Sequence, residues 1–92
     1  MYNYVLTREA KEDLYRIYEF GVYKFGADQA EKYITLIYDC FDKITANPFL
    51  FPAVVNYKNV ERYCVCGVDT IYYNINNNVI EIVTIIGRQN FK

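Results

Sequence analysis

The sequence predicts an α+β fold with the element order β-α-α-β-β-β. In this reading an antiparallel αα-hairpin packs on one face of a mostly antiparallel four-stranded sheet. Three observations lead there. Residues 61–88 hold three apolar runs rich in Val, Ile, Thr and Tyr, separated by Gly67-Val68-Asp69 and by Asn76-Asn77-Asn78. Those runs suit a pleated sheet, and Gly and Asn tolerate the positive φ of tight hairpin turns. Residues 8–46 hold two apolar stripes at spacings of three and four, joined by a short link around Gly26. Such stripes are amphipathic helices, and a short link folds them back antiparallel.

The elements follow in order. Tyr2, Tyr4 and Leu6 alternate with Asn3 and Val5, a short strand that has to join the same sheet. Thr7 is the expected N-cap of the first helix, with Glu9 facing its positive end. Ala10, Leu14, Ile17, Gly21 and Phe25 form its apolar stripe, with Tyr18 beside them. Lys11, Glu12, Asp13, Arg16 and Glu19 are assigned largely to its other faces, and Gly26 ends it. Asp28 is read as opening the second helix, with Glu31 completing a D-x-x-E capping box. Ala30, Ile34, Ile37, Phe41 and Ile44 are its stripe, and Asn47-Pro48 stops it.

The connector, residues 47–60, carries Pro48 and Pro52. Phe49, Leu50 and Phe51 are too apolar for a solvated loop and are expected to dock on the helix–sheet seam. The meander then runs Glu61–Cys66, Thr70–Ile75 and Val79–Ile86. In its second strand Ile71, Tyr73 and Ile75 share one face, and Tyr72 and Asn74 take the other. In its third, Ile80, Ile82, Thr84 and Ile86 are set against Val79, Glu81, Val83 and Ile85. Only Glu81 is charged there, so this strand is central or covered by a partner.

Length and composition bound the function. Residues 1–92 make a single domain, which buries roughly 60–65% of its unfolded surface. An apolar share of 53% excludes a disordered chain. Eleven tyrosines exceed what so small a core holds, which places some on a binding surface. A low-GC genome, rich in Tyr, Ile, Asn and Lys codons, is the other source of that excess. Net charge is −1: residues 1–46 carry six Lys/Arg against eight Asp/Glu, and residues 47–92 carry four against three. Neither half has the basic footprint of a phosphate-tracking protein, so no direct sequence-specific binding of nucleic acid is expected.

The chain has three cysteines, no His and no CxxC, so neither a metal nor another cofactor is expected. Cys64 and Cys66 point the same way on a strand, about 7 Å apart, at or beyond disulfide reach. Reduced cysteines in a cytoplasmic protein are the expectation. Met1 leads directly into a strand with no export signal, and no apolar run approaches a membrane span.

The chain resembles the RelE/ParE superfamily of bacterial type II toxin–antitoxin toxins, its ParE-like branch in particular, over nearly all its length. The opening strand and helix match through Thr7, Glu9, Ala10, Asp13, Leu14, Ile17 and Tyr18. The second helix matches through Ala30, Tyr33, Ile37, Phe41, Ile44, Asn47 and Pro48. Arg62, then Thr70 to Ile75, then Val79, Ile82 and Arg88 complete the pattern. Asn74 and Gly87 stand where the family often has Arg and His.

The resemblance implies a toxin that binds and poisons DNA gyrase and forms a hetero-oligomer with a cognate ParD/RelB-like antitoxin. It implies that Arg62, Tyr72, Tyr73, Arg88 and Phe91 contact the target. Tyr15, Tyr18, Val22, Tyr33 and Tyr38 are the candidate antitoxin contacts. The alternatives are a RelE-like ribosome-dependent mRNA endonuclease and a decayed module that only binds its antitoxin. RNA cleavage would need cations and a proton-transfer group, with Lys58, Arg62, Arg88 and Lys92, and Tyr72, Tyr73 or Glu61, as candidates. Without His and with little positive charge, binding fits better than turnover, and no residue is singled out as catalytic.

Overall fold

A computed structural model describes residues 2–55, 57 and 59–87 of the chain. The order is β1 (Asn3–Leu6), α1 (Arg8–Phe25), α2 (Ala27–Ala46), β2 (Arg62–Cys66), β3 (Asp69–Asn76) and β4 (Val79–Gly87), an α+β fold. The sheet order is β1-β4-β3-β2, with β1 parallel to β4 and the other pairs antiparallel. β4 is therefore central, which is why it is apolar on both faces.

Both hairpins close with two-residue turns. Cys66 pairs with Asp69 around Gly67-Val68, and Asn76 pairs with Val79 around Asn77-Asn78. Gly67 (φ +61°) and Asn77 (φ +57°) supply the left-handed backbone these turns need.

One feature of β4 departs from simple alternation. Tyr73 faces Ile82 but Tyr72 faces Thr84, so Val83 is an extra residue, a β-bulge. The bulge shifts the phase of the strand. Ile85, and not the expected Ile86, joins Ile80 and Ile82 in the core, while Ile86 stays half-buried.

β4 also outruns β1, whose pairing ends at Leu6 with Ile82. The start of α1 serves the backbone beyond that point. Thr7 N–H donates to Ile82 O (3.0 Å), and the Thr7 hydroxyl donates to Val83 O (2.7 Å). The same oxygen caps the helix by accepting Ala10 N–H at 3.1 Å, as its position predicts.

The helices pack through Ala10, Leu14, Ile17, Ala30, Ile37, Phe41 and Ile44, all buried. At Gly21 an added Cβ would lie 3.1 Å from Ala30 Cβ, so the glycine allows the two helices to approach closely. Three expectations are corrected here. Phe25, the last residue of α1 before Gly26 turns the chain, is 65% exposed. Asp28 lies inside the first turn of α2; the cap residue is Gly26, and no side chain caps that end. Asp13 faces inward and is buried.

The cysteines differ from expectation as well. Cys40 on α2 and Cys66 on β2 form a disulfide, with Cα atoms 6.5 Å apart, and Cys64 is the buried free thiol. Among the described residues no helix is long and apolar enough to cross a membrane.

Candidate functional site

Two surfaces and one pinned loop are the candidates. The first surface is an open groove of about 420 Å³ along the αα-hairpin, lined by Leu6, Lys11, Leu14, Tyr15, Tyr18, Ile34 and Tyr38. Its walls are i, i+3, i+4 positions of α1, the buried Leu14 at its floor, and the facing positions of α2. Three of the five expected antitoxin contacts, Tyr15, Tyr18 and Tyr38, meet here. Tyr15 is 66% exposed, and Tyr38 rests edge-on against the core ring of Phe41, centroids 5.4 Å apart. Val22 is half-buried one turn beyond Tyr18 and does not line the groove.

Tyr33 lies elsewhere, and its hydroxyl is occupied. It donates to the Asp69 carboxylate (2.6 Å), accepts Val68 N–H (3.2 Å) and lies 3.1 Å from Cys66 O. Burial raises its phenol pKa strongly, and the hydrogen bond to Asp69 and that residue's charge add to the rise. Tyr33 thus ties α2 to the β2–β3 turn. It also walls a separate apolar cavity of about 250 Å³ with Ile17, Phe20, Phe25 and Val68.

The second surface is the sheet face turned away from the helices. Tyr72 centres it, with the rings of Tyr57 and Tyr63 at 4.9 and 6.2 Å. Burial raises the Tyr72 phenol pKa, and its two neighbouring tyrosines reinforce the shift. Tyr73, its neighbour in sequence, is not on this surface. It is 0% exposed, because strand alternation places it with Ile71 on the core face. Its hydroxyl donates to Pro48 O at 2.6 Å, and burial pushes its pKa up to about 12. A target cannot reach that ring in the folded chain, so the expected direct contact through Tyr73 is corrected.

Arg62 is half-buried and already engaged. Its guanidinium donates to Phe51 O (2.6 Å) and Phe49 O (3.4 Å) and lies over the Phe49 ring, 5.3 Å from the centroid. With Tyr73 it pins the connector. Val54 N–H to Glu61 O and Tyr63 N–H to Pro52 O complete the attachment along the edge of β2. The connector does not dock as expected. Phe51 packs against the core, but Phe49 and Leu50 stay 63% and 75% exposed. Glu61 is used locally too, its carboxylate accepting Ile75 N–H at 3.0 Å. Arg88 and Phe91, with Lys58 and Lys92, lie outside the described residues.

Sequence reasoning missed four buried polar groups: Asp13, Thr45, Asp69 and Thr84. Asp13 Oδ2 accepts Ile85 N–H (2.9 Å), and its Oδ1 accepts Arg16 at 2.8 Å. The Thr84 hydroxyl lies 2.8 Å from carboxylate oxygens of both Asp13 and Glu9. The resemblance through Asp13 and Leu14 marks the position but not its direction. Among the described residues no group of three or more His, Cys, Asp or Glu gathers as a metal site.

Comparison with known proteins places this geometry. No curated protein sequence matches the chain. A solved structure described as the chromosomal ParDE TA system from P. aeruginosa is similar at a TM-score of 0.79 and 22% identity, covering 95% of this chain and 96% of that one. At that identity the likeness speaks for the fold. The sequence model for the ParE toxin of the type II toxin–antitoxin system, parDE, matches residues 4–90. That match takes in both helices and all four strands, and the chain therefore belongs to the ParE toxin family of type II toxin–antitoxin systems.

Proposed function

We propose that the chain is a toxin that binds and poisons DNA gyrase in the bacterial cytoplasm, stabilises plasmids in that role, and is neutralised by a cognate ParD/RelB-like antitoxin. The antitoxin lies as an amphipathic helix in the groove walled by Tyr15, Tyr18 and Tyr38. One observation favours binding over turnover: three of the groups that RNA cleavage would recruit, Arg62, Glu61 and Tyr73, are structurally committed. Arg62 is held by two loop carbonyls, Glu61 by the Ile75 N–H, and Tyr73 is buried on Pro48 O. A general base also needs a pKa near the working pH, and the Tyr72 and Tyr73 phenols are moved away from it.

The test is supercoiling of relaxed plasmid by gyrase with purified protein. Lost supercoiling with accumulated cleaved DNA, relieved by the product of the neighbouring gene, is the expected result. An inert protein of intact fold would remove the gyrase reading. Ribosome-dependent mRNA cleavage or antitoxin binding alone would then be the functions to assay.

A further inference from the structure

The loop at the end of α2 presents an anomaly. Three carbonyls in four residues are held from behind: Pro48 O by Tyr73, and Phe49 O and Phe51 O by Arg62. Phe51 turns inward onto the core, yet its neighbours Phe49 and Leu50 are held out in water, 63% and 75% exposed. A fully buried tyrosine hydroxyl and a half-buried guanidinium are thus spent on fixing the backbone beneath two exposed apolar side chains. Fixing a contact segment before binding removes much of the ordering cost of association. Large apolar anchors seated in a partner's pocket carry most of the energy of an interface.

We propose that Phe49 and Leu50 form the knob by which the chain engages its protein target, with Arg62 and Tyr73 as positioning residues that hold the knob out. The inference rests on the toxin reading above and names the contact element for that reading. Two observations choose the target over the antitoxin as the occupant. The antitoxin groove includes Leu6 of β1, whereas Phe49 and Phe51 are bonded to Arg62 of β2, and the sheet order β1-β4-β3-β2 puts those strands at opposite edges, with Pro48 held one strand in by Tyr73 of β3. Three interstrand spacings separate the two edges, roughly 14 Å, so one helix in the groove leaves the knob free.

The second observation is charge. Lys43 stands in the last turn of α2 just before the loop, and Arg62 lies under the Phe49 ring. The cation placed against the knob is Arg62, with the Glu61 carboxylate beside it turned to the Ile75 N–H. The knob fits an apolar pocket rimmed by carboxylates on the target protein. Arg62, which family resemblance marks as a target contact, acts here through the loop it holds.

The test compares the wild-type chain, the Phe49→Ser/Leu50→Ser double variant and Leu50→Ser alone. Leu50→Ser guards against any loosening of the Phe49–Arg62 contact. Gyrase inhibition, growth arrest on induction and antitoxin affinity are measured, with melting temperature as the fold control. The expected result is a loss of about tenfold or more in inhibition and toxicity, with melting temperature and antitoxin affinity unchanged. Undiminished inhibition by both variants overturns the proposal. So does an equal loss of antitoxin binding, which would assign the knob to the antitoxin. If the wild type arrests growth without affecting gyrase, the gyrase reading fails alone, and the knob is judged on growth arrest. If it arrests nothing, there is no target and both fall.

Discussion

Asp13 on α1 accepts the backbone N–H of Ile85 on β4 at 2.9 Å, directly beyond the bulge at Val83. The same carboxylate oxygen lies 2.8 Å from the Thr84 hydroxyl. Beyond the end of β1 the backbone of β4 lacks ladder partners on that side, and the cap and first turns of α1 supply them: Thr7 for Val83 O and Asp13 for Ile85 N–H. Asp13→Ala strands a buried donor and should destabilise the chain by about 2–3 kcal/mol. For a chain of this size that lowers the melting temperature by roughly 10 °C or more. Asp13→Asn keeps an acceptor and should lose less. Thermal and urea unfolding of both variants checks this, and equal losses would refute the Ile85 assignment.

Thr7 offers a separate check on the same strand edge. Its hydroxyl both caps α1 and donates to Val83 O. Thr7→Ser keeps both bonds and should be nearly neutral. Thr7→Val keeps the shape and loses both, at about 1–2 kcal/mol. Urea unfolding in which serine and valine behave alike would show that the hydroxyl contributes nothing.

These helix–strand contacts mark where the sequence stopped being legible. Periodicity located both helices and all four strands and grouped Tyr73 with Ile71 and Ile75 on one face, because apolar spacing reports directly which side chains share a side. The same rule sent Asp13 outward, since it treats every charge as solvated; the inward acceptor serves β4 where that strand outruns β1. Nothing at Val83 announces the bulge, as no Gly or Pro stands there. The Cys40–Cys66 pairing joins residues 26 apart, and strand geometry had weighed only Cys64 with Cys66. Phe49 and Leu50 read as core from composition. Their exposure follows from hydrogen bonds made by Arg62 and Tyr73, which no local pattern encodes.

The disulfide between α2 and β2 gives a direct chemical prediction. Thiol titration of the unfolded, unreduced chain should find one reactive thiol, Cys64, and three after reduction. Closing a loop of this separation restricts the unfolded chain by about 3–4 kcal/mol in the chain-entropy account. Reduction should therefore lower the melting temperature, and Cys40→Ser should abolish the difference between reduced and unreduced protein. Three thiols in protein oxidised with diamide would overturn the pairing.

Alkaline pH should destabilise the chain through the buried phenol of Tyr73 and the partly buried phenol of Tyr33. Tyr33 and Tyr73 both have pKa values raised by burial, Tyr73 to about 12, whereas an unfolded tyrosine titrates near 10. Above pH ~10 the unfolded chain releases protons that these folded tyrosines retain, so stability falls as pH rises. It is undiminished by these groups below pH ~10 and falls with rising pH until each folded pKa is reached, more through the buried Tyr73 than through the partly exposed Tyr33. Urea unfolding at pH 9 and pH 11 should show the loss. Tyr73→Phe should shrink it, at the cost of the bond to Pro48 O. Absorbance at 295 nm in native protein at pH 11 should show fewer ionised tyrosines than in urea, the difference coming from these two rings. A native titration identical to that of the unfolded chain would mean that neither hydroxyl is held as the structure places it.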